Sequence, residues 1–331
     1  VTVAGPDGEL AQPYGDLLIA TGAHAVTPPI DGLDLAGGFT LHDMDEAAAI
    51  RGALGEATET EQERTDAAVR GVERVAVVGG GYVGIEMAEA FASHGLEVHL
   101  FEMLPHTLQP FGAETAATVE DHLDEQGIRL HLETAVEAIR GEERVEAIAA
   151  GEETVPVDLA LVGAGVAPNT ELAEAAGIEL GPTGAIATDE YGRTNDDHVY
   201  AAGDVAEATH VVLALTANRA GRAIGQTVAG DPTPVGEIAG TAAVKAFDLE
   251  VARTGIIDEE RAREAGFDPV SVTITAPSRA HYYPGGSEIQ ITLLGDAGSG
   301  RVLGASMVGK EGVAKRIDTV ATALHAALTA R

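Results

Sequence analysis

Residues 75–102 read VAVVGGGYVGIEMAEAFASHGLEVHLFE. The stretch opens with a short apolar run, as expected of a parallel strand that is buried on both faces. Gly79, Gly81 and Gly84 follow in the three glycine positions of GxGxxG, the turn that lets a backbone approach a pyrophosphate. The N–H groups and the dipole at the start of the next helix suit the same anionic group. Strand, glycine turn, helix and second strand together predict a dinucleotide-binding unit, around which the rest of the chain is organised.

The second strand of this unit, predicted at residues 98–101, ends at Glu102. This acid stands 18 residues after Gly84, close to the spacing of roughly 20 residues at which a carboxylate meets the ribose hydroxyls of a dinucleotide. A carboxylate there would repel a 2′-phosphate, and residues 103–105 are not basic, so we predict NADH in preference to NADPH. Glycine-rich turns also occur in ordinary connections between a strand and a helix. The flanking strand, helix and acid favour the nucleotide-binding interpretation.

The acidic composition excludes two classes of partner. The formal net charge is −33, from 53 acidic and 20 basic residues, so we expect the chain to repel nucleic acid and anionic membranes. The sequence has no apolar run of about 18 residues and therefore no predicted membrane span. Its N-terminus lacks the basic region and apolar core of a secretory signal, and we predict a cytoplasmic protein.

The pattern of charge also indicates adaptation to high salt. Lys245, Lys310 and Lys315 are the only lysines, and the acids are scattered over the whole length. At about 1 M salt the Debye length falls to about 3 Å, which screens the self-repulsion that would otherwise oppose folding. The alternative interpretation is an acidic face that binds a partner.

The length of the chain sets how many domains it can form, and its lack of cysteine rules out several kinds of chemistry. With 331 residues and 45% hydrophobic content, the chain has enough material for two or three domains. It contains no cysteine. A disulfide framework, a thiolate metal site and a thiol nucleophile are therefore excluded within these residues.

Strands that end in small residues flank the nucleotide unit on both sides. One stops at Thr21-Gly22 and the other at Gly203-Asp204, and such endings let a ligand or another backbone come close. We therefore predict a nucleotide domain that is inserted into a second, discontinuous domain. The predicted bounds are residues 1–73 with 154–233 for the discontinuous domain, 74–153 for the nucleotide domain and 234–331 for a third domain.

The third domain has a different pattern. Three segments alternate apolar with polar residues at period two, and a last helix carries one apolar face. This predicts an antiparallel sheet covered by helices. The strands are residues 271–275, 288–294 and 301–308, and the helix face is Ile317, Val320, Leu324 and Leu328.

The remaining predicted elements are short. Residues 5–8 form the turn of an N-terminal hairpin, and residues 55–74 are a polar, solvated connection with one helical stretch. Further strands are predicted at residues 17–20, 128–132, 138–139, 145–150, 159–162 and 199–202, and helices at 41–54, 113–126, 168–177 and 213–228.

Four short motifs occur in one order along the chain. They are Ala20-Thr21-Gly22, the GGGYVGIE turn that ends at Glu86, VGAG at residues 162–165 with Pro168-Asn169, and YAAGD at residues 200–204. In this order they resemble the flavin-dependent pyridine nucleotide-disulfide oxidoreductase family over essentially the whole chain. The resemblance implies an α/β fold with two Rossmann-like domains, an NAD domain inserted in a partial FAD domain, and a C-terminal α+β dimerisation domain. It also implies FAD and NADH as cofactors and a homodimer.

The resemblance carries roles onto particular residues. Asp204 would bond the ribityl chain of the flavin, although from the residues alone an N-cap of the following helix is an equal alternative. Glu86 and Tyr282 would be catalytic. The implied cofactor-binding residues are Gly79, Gly81, Tyr82, Val83, Gly84, Glu102, Gly165, Thr21, Gly22, Gly203 and Asp204.

The C-terminal region narrows the branch of the family. KAFDLEVARTG at residues 245–255, RAHYYPG at 279–285 and GKEGVAKRID at 309–318 look like the interface domain of coenzyme A-disulfide reductases and related NADH oxidases. The resemblance implies that Tyr282 reaches across the dimer to the thiol of the substrate. The alternative is an aromatic pair that packs beside a Pro-Gly turn.

The predicted reaction is hydride transfer from NADH to FAD and then reduction of a disulfide, most similar to coenzyme A-disulfide reductase. The family's first glycine motif and its redox cysteine are not in these residues, and we expect them before Val1. Two enzymatic alternatives are an NADH oxidase that reduces oxygen and a reductase of a small electron-transfer protein. The alternative outside enzymes is a nucleotide-binding remnant without a complete flavin site.

Overall fold

The computed structural model describes residues 1–6, 8–54, 71–207 and 213–330. These residues form two compact units, one of Val1–His24 with Val166–Ile238 and the other of Ala25–Gly165 with Ala239–Arg331. Asp7 of the predicted hairpin turn and most of the predicted polar connection, residues 55–70, lie outside the described ranges. Among the described residues no helix has the length and apolar character needed to cross a membrane.

In chain order the strands are β1 (Thr2–Gly5), β2 (Gly8–Ala11), β3 (Leu17–Ile19), β4 (Ala23–Ala25), β5 (Gly38–Thr40), β6 (Arg74–Val78), β7 (Glu97–Phe101), β8 (Arg129–His131), β9 (Ala138–Arg140), β10 (Ala147–Ala150), β11 (Glu153–Pro156), β12 (Leu159–Val162), β13 (Val166–Pro168), β14 (Val199–Ala201), β15 (Ala242–Ala246), β16 (Leu249–Gly255), β17 (Pro269–Pro277), β18 (Glu288–Asp296) and β19 (Val302–Gly309). The helices of the described residues are α1 (Met44–Ala53), α2 (Tyr82–Ser93), α3 (Ala113–Glu125), α4 (Glu171–Ala175), α5 (Ala214–Val228), α6 (Glu259–Glu264) and α7 (Val313–His325). Short 3₁₀ turns occupy Gln109–Phe111 and Gly203–Val205.

The quoted stretch forms the centre of a five-stranded parallel sheet. Its strand order is β5-β12-β6-β7-β8. The middle residues of β6 are fully buried, because α2 packs on β6 and β7 while the small antiparallel sheet β11-β10-β9 contributes to a shared core. This burial accounts for the continuous apolar run in the sequence.

The sequence predicts that the second segment of the discontinuous domain starts at residue 154. In the structure, residue 154 lies in the compact unit that contains the five-stranded parallel sheet. β12 lies after that bound, yet all four of its residues pair in parallel with Val75 to Val78 of β6. β5, also placed in the flanking domain by the sequence, pairs with β12. The sequence showed that β12 is a buried strand but not which parallel partner it chooses, because that partner is distant along the chain.

The C-terminal part of the same unit is an antiparallel sheet of order β15-β16-β19-β18-β17. The predicted strands correspond to β17, β18 and β19, whereas β15 and β16 were not predicted. α7 packs on β16 and β19, and its residues Val313 and Ile317 join a core with Met307. The last helix was predicted to reach Leu328, but it ends at His325. Ala327 then adopts a left-handed backbone with φ 50°, which stops the helix.

Helix α3 lies against this C-terminal sheet. The hydroxyl of Thr115 is 2.6 Å from that of Ser306, and both residues are buried. Thr118 donates to Gln290 at 3.1 Å. The nucleotide sheet and the C-terminal sheet are therefore joined within one compact unit through polar contacts of α3.

The other unit contains the two chain segments that flank the nucleotide fold. β1 and β2 form the predicted hairpin, and β3 pairs in parallel with β14. Ile19, Ile186 and Val205 are part of its buried core. α5 follows the Gly203–Val205 turn and packs on it.

Candidate functional site

The glycine turn after β6 contains two glycines that the fold itself requires. Gly79 has φ 108°, and a Cβ atom there would lie 2.4 Å from the carbonyl oxygen of Gly163. A Cβ on Gly84 would lie 1.8 Å from the carbonyl oxygen of Gly79. Side chains at these two positions would force the strand, the helix and the neighbouring segment apart.

Gly81 differs from both. Its φ is −78°, and apart from its two chain neighbours no atom of the described residues lies within 4 Å of where a Cβ would be. It is the N-cap residue of α2, and no side chain in the described ranges caps that helix. The space beside Gly81 and the N–H groups at the start of α2 therefore form an open cradle that suits a pyrophosphate.

The residues that follow Gly81 divide between the interior and the surface. Tyr82 is partly buried, with its ring edge-on to Phe111 at a centroid distance of 5.5 Å. Val83 and Glu86 lie one turn apart on the exposed side of α2. The two predicted residues Val83 and Glu86 are thus available to a bound molecule.

Glu102 is held at the end of β7 by two backbone donors. Its carboxylate accepts from the N–H of Gly80 at 2.7 Å and from the N–H of Leu104 at 2.9 Å. The predicted acid therefore lies directly beside the glycine turn, as a ribose-binding role requires.

Gly80 was not predicted as a functional residue, because it occupies a variable position of GxGxxG. In addition to its N–H bond to Glu102, its carbonyl oxygen accepts from the N–H of Leu108 at 2.8 Å. A Cβ on Gly80 would lie 2.9 Å from Cγ2 of Thr107 and 3.1 Å from the carboxylate of Glu102. The segment after β7 therefore leaves no room for a side chain at this position.

Arg253 brings the C-terminal sheet to the start of α2. Its guanidinium donates to the carbonyl oxygens of Pro110 at 2.8 Å and Gly255 at 2.9 Å. Burial raises the pKa of the Tyr82 phenol, while the nearby charge of Arg253 opposes this shift. Burial lowers the pKa of Arg253. Arg253 belongs to the KAFDLEVARTG segment, which the sequence analysis singled out for its resemblance to the family. The sequence gave no sign of the hydrogen bond between Arg253 and Pro110, because the two residues are 143 positions apart along the chain.

The third motif lies beside the second. Gly163 donates to the carbonyl oxygen of Val78 at 2.8 Å, and its own carbonyl faces Gly79. Gly165 has φ 99° with open space where a Cβ would be, and its carbonyl accepts from the N–H of Val26 at 2.9 Å. Gly165 therefore leaves the backbone accessible next to the glycine turn.

In the other unit, the first motif is bonded to Asn169 of the third. The hydroxyl of Thr21 donates to the Asn169 carbonyl at 2.7 Å, and the Asn169 side chain donates to the Thr21 carbonyl at 2.8 Å. The N–H of Asn169 donates to the Gly22 carbonyl at 2.9 Å, and Nδ1 of His24 lies 2.6 Å from Asn169 Oδ1. Thr21 and Gly22 are thus fixed in a loop, with open space beside Gly22.

Gly203 and Asp204 open the 3₁₀ turn after β14. Gly203 has φ 79°, and Asp204 is half-buried. α5 begins after Leu213, and no side-chain cap is found for that helix or for the 3₁₀ turn in the described part of the chain. The structure therefore gives the N-cap alternative for Asp204 no support among the described residues, and its flavin-binding role stays a prediction.

Tyr282 lies on the loop between β17 and β18. Tyr282 is 79% exposed and Tyr283 is 59% exposed, and the Tyr282 ring lies edge-on to His281 at a centroid distance of 5.8 Å. The loop is braced by Arg279, which pairs with Glu311, donates to the Pro284 carbonyl at 3.3 Å and lies 5.8 Å from the Tyr283 ring. The substrate-facing role of Tyr282 and the alternative of an aromatic pair that packs beside a Pro-Gly turn both stay predictions. None of the described contacts joins Tyr282 to the glycine turn of the same chain.

Two family models and several named relatives match this chain over most of its length. Residues 2–223 match the family model described as pyridine nucleotide-disulphide oxidoreductase, and residues 241–331 match the dimerisation domain of that family. A relative from Pyrococcus abyssi, named NAD(P)H sulfur oxidoreductase (CoA-dependent), is 37% identical over 340 residues, which cover 100% of this chain and 73% of the relative. The structure of a NAD-dependent persulfide reductase from A. fulgidus superposes with a TM-score of 0.90 at 36% identity, covering 99% of this chain and 60% of that one.

Relatives with other names also match. A protein of Methanocaldococcus jannaschii named NADH oxidase is 33% identical over 334 residues, which cover 97% of this chain and 70% of the relative. A Staphylococcus aureus protein named coenzyme A disulfide reductase is 29% identical over 332 residues, covering 97% of this chain and 70% of that one. The chain thus resembles proteins named for sulfur reduction and for NADH oxidation.

Proposed function

Because the chain belongs to the pyridine nucleotide-disulphide oxidoreductase family, we propose that NADH reduces FAD on this protein and that the electrons then reduce a sulfur–sulfur bond of a coenzyme A derivative. The overall change is NADH + H⁺ + RS–SR → NAD⁺ + 2 RSH. The observation that carries the proposal is the open cradle at Gly81 beside the clamped carboxylate of Glu102. These two features suit the pyrophosphate and the ribose of NADH. When bound, FAD accepts a hydride and passes on two electrons.

The residues of the nucleotide unit bind and orient the donor. The backbone at Gly81 and the start of α2 would hold the pyrophosphate, and Glu102 would accept from a ribose hydroxyl. Tyr82, packed on Phe111, and the exposed Val83 and Glu86 would line the path beyond the pyrophosphate. Asp204 would bond the ribityl chain of FAD, with Thr21, Gly22 and Gly203 as further cofactor-binding residues of the same unit. Gly165, in the other unit, would leave room for a cofactor beside its backbone.

Tyr282 would act on the sulfur substrate. In this proposal the phenol donates a proton to the thiolate that leaves when the sulfur–sulfur bond breaks, and it does so in the partner subunit of a homodimer. Its 79% exposure in the single chain supports a role toward another molecule. The attacking thiol is not among these residues, since the sequence has no cysteine.

Reduction of oxygen is the second candidate, and the similarity to proteins named NADH oxidase favours testing it. The test is NADH consumption by the full-length enzyme with coenzyme A disulfide under nitrogen, compared with consumption under air without disulfide. The proposal expects the anaerobic disulfide reaction to be the faster. A fast reaction with oxygen and none with the disulfide would assign the protein to the oxidase class.

We further propose that the exposed edge of the C-terminal sheet forms the dimer interface. Val270, Val272 and Ile274 alternate along β17 and are 54%, 55% and 52% exposed. Residues at period two lie on one face of a strand, so the three side chains form an apolar strip. The similarity to a dimerisation domain supports the same interpretation.

Replacing Val272 and Ile274 together by lysine should convert the dimer to a monomer, because four like charges would meet an apolar surface when two copies associate. Light scattering at high salt reports the mass. Leu10→Lys is the matched control, since Leu10 is 62% exposed on the N-terminal hairpin. A monomeric parent protein, or a double variant that still dimerises, would contradict this interface.

Adaptation to high salt is a separate proposal that rests on charge. With a formal net charge of −33, lowering the salt lengthens the range of repulsion among the carboxylates and destabilises the folded state. We therefore expect the unfolding temperature to rise steadily between about 0.1 M and about 3 M KCl. An unfolding temperature that does not change over this range would refute the proposal.

A further inference from the structure

The segment between β7 and α3 is bonded at both ends to one residue of the glycine turn. At its start, Glu102 accepts from the Gly80 N–H at 2.7 Å, and near its end, the Leu108 N–H donates to the Gly80 carbonyl at 2.8 Å. Thr107, which is fully buried, presses its Cγ2 against the position that a Gly80 side chain would occupy. The conformation of this segment, which we call the clamp segment (residues 102–108), therefore fixes both Gly80 and the carboxylate of Glu102.

One acid from α3 holds the middle of the clamp segment. Oε1 of Glu120 accepts from the N–H of Thr107 at 2.6 Å and from its hydroxyl at 3.2 Å. Oε2 of Glu120 lies 3.2 Å from Nδ1 of His106. The Glu120 side chain is only 11% exposed, so water competes little for these bonds. Hydrogen bonds to an ionised carboxylate are among the stronger ones in proteins.

Glu120 itself is carried on a helix with a fixed position. α3 is bonded to the C-terminal sheet through Thr115 and Ser306 at 2.6 Å and through Thr118 and Gln290 at 3.1 Å. The chain of contacts thus runs from the C-terminal sheet through α3 and Glu120 to Thr107, and from Thr107 to Gly80 and Glu102.

We infer that Glu120 is a positioning residue for NADH: it touches no part of the proposed nucleotide cradle but sets the clamp segment that orients Glu102 and Gly80. This inference rests on the proposed NADH site at the glycine turn. It predicts that the loss of Glu120 weakens binding of the ADP-ribose part of NADH and leaves the rate of hydride transfer from bound NADH unchanged. It also predicts that Glu120 acts only through the clamp segment.

The test measures binding of ADP-ribose by calorimetry, which requires no electron transfer. Glu120→Ala should raise the Kd about tenfold, the effect of losing roughly one charged hydrogen bond. Glu120→Gln, which keeps an acceptor for Thr107, should raise it by only about threefold. Asp121→Ala is the matched control, because Asp121 is the adjacent acid and is exposed, and its Kd should equal that of the parent. In stopped-flow experiments the limiting rate of flavin reduction at saturating NADH should stay within about twofold in all variants.

A double-mutant cycle separates positioning from a general structural effect. If Glu120 acts through the clamp segment, then adding Glu120→Ala to Glu102→Gln should raise the Kd for ADP-ribose by clearly less than the roughly tenfold that Glu120→Ala causes in the parent, since only the effect through Gly80 is left to lose. Losses that multiply in the double variant, or a parent-like Kd in Glu120→Ala, would overturn the inference while leaving the proposed NADH site intact. A parent-like Kd in Glu102→Gln would overturn the site and the inference together.

Discussion

Gly81→Ala should lose nucleotide binding while keeping its fold. Apart from its two chain neighbours, the added methyl group meets no atom of the described residues within 4 Å, and the backbone φ of −78° accommodates alanine, so the substitution should cost about 1 kcal/mol or less, the usual difference between glycine and alanine at an N-cap. The same methyl group would stand between the backbone and the pyrophosphate. Loss of roughly two charged hydrogen bonds corresponds to a Kd for ADP-ribose that is at least about a hundredfold higher. Calorimetry and thermal unfolding measure the two effects separately.

Gly84→Ala provides the contrasting control. A methyl group there would lie 1.8 Å from the Gly79 carbonyl oxygen, so this variant should be destabilised by several kcal/mol through a clash in the interior of the turn. Tight ADP-ribose binding by Gly81→Ala would show that the space beside Gly81 is not the pyrophosphate site. Equal destabilisation of Gly81→Ala and Gly84→Ala would show that protein atoms occupy the space beside Gly81.

Tyr282→Phe should slow disulfide reduction without affecting the flavin's reduction by NADH. The substitution removes one hydroxyl from a side chain that is 79% exposed and leaves the ring. General acid catalysis contributes about 10²- to 10⁴-fold, so we expect a loss of at least about tenfold in the reaction with coenzyme A disulfide. Rapid-mixing absorbance measurements resolve the two half-reactions.

The neighbouring residue supplies the control for Tyr282. Tyr283 is 59% exposed and its ring lies 5.8 Å from the guanidinium of Arg279, a contact that does not need the hydroxyl. Tyr283→Phe should therefore reduce the disulfide at the parent rate. An unchanged rate of disulfide reduction in Tyr282→Phe would leave Tyr282 without a catalytic role. Equal losses of rate in both variants would show that the conformation of the loop, rather than the Tyr282 hydroxyl, affects the reaction.

The sequence predicted the elements whose signals are local. β6, the glycine turn, α2 and β7 were predicted in this order, and the predicted range of β7, residues 98–101, differs by one residue from the observed Glu97–Phe101, because apolar runs and glycines mark these elements directly. β15 and β16 were missed since their buried positions include alanines, as in AAVKA, which weaken the alternation of large apolar and polar residues. The pairing of β12 with β6 was not predicted for a different reason: the two strands are more than 80 residues apart along the chain.

Part of the candidate site was likewise predictable and part was not. Gly79, Gly84 and Glu102 were identified from spacing, and the structure places them together around one turn. Gly80 and Glu120 were not, because their roles depend on contacts with Thr107 that no local pattern encodes. Spacing identifies the residues that could touch a ligand, whereas the residues that hold them emerge only from tertiary packing.

The proposed reaction passes electrons from NADH through FAD to sulfur. It is tested most directly by anaerobic rapid mixing of the full-length, flavin-loaded protein with one equivalent of NADH, followed by coenzyme A disulfide, while the visible absorbance of the flavin is recorded. We expect NADH to bleach the flavin absorbance and the disulfide to restore it, with release of coenzyme A thiol. A flavin that stays oxidised with NADH, or one that NADH reduces and only oxygen reoxidises, would contradict the proposed reaction.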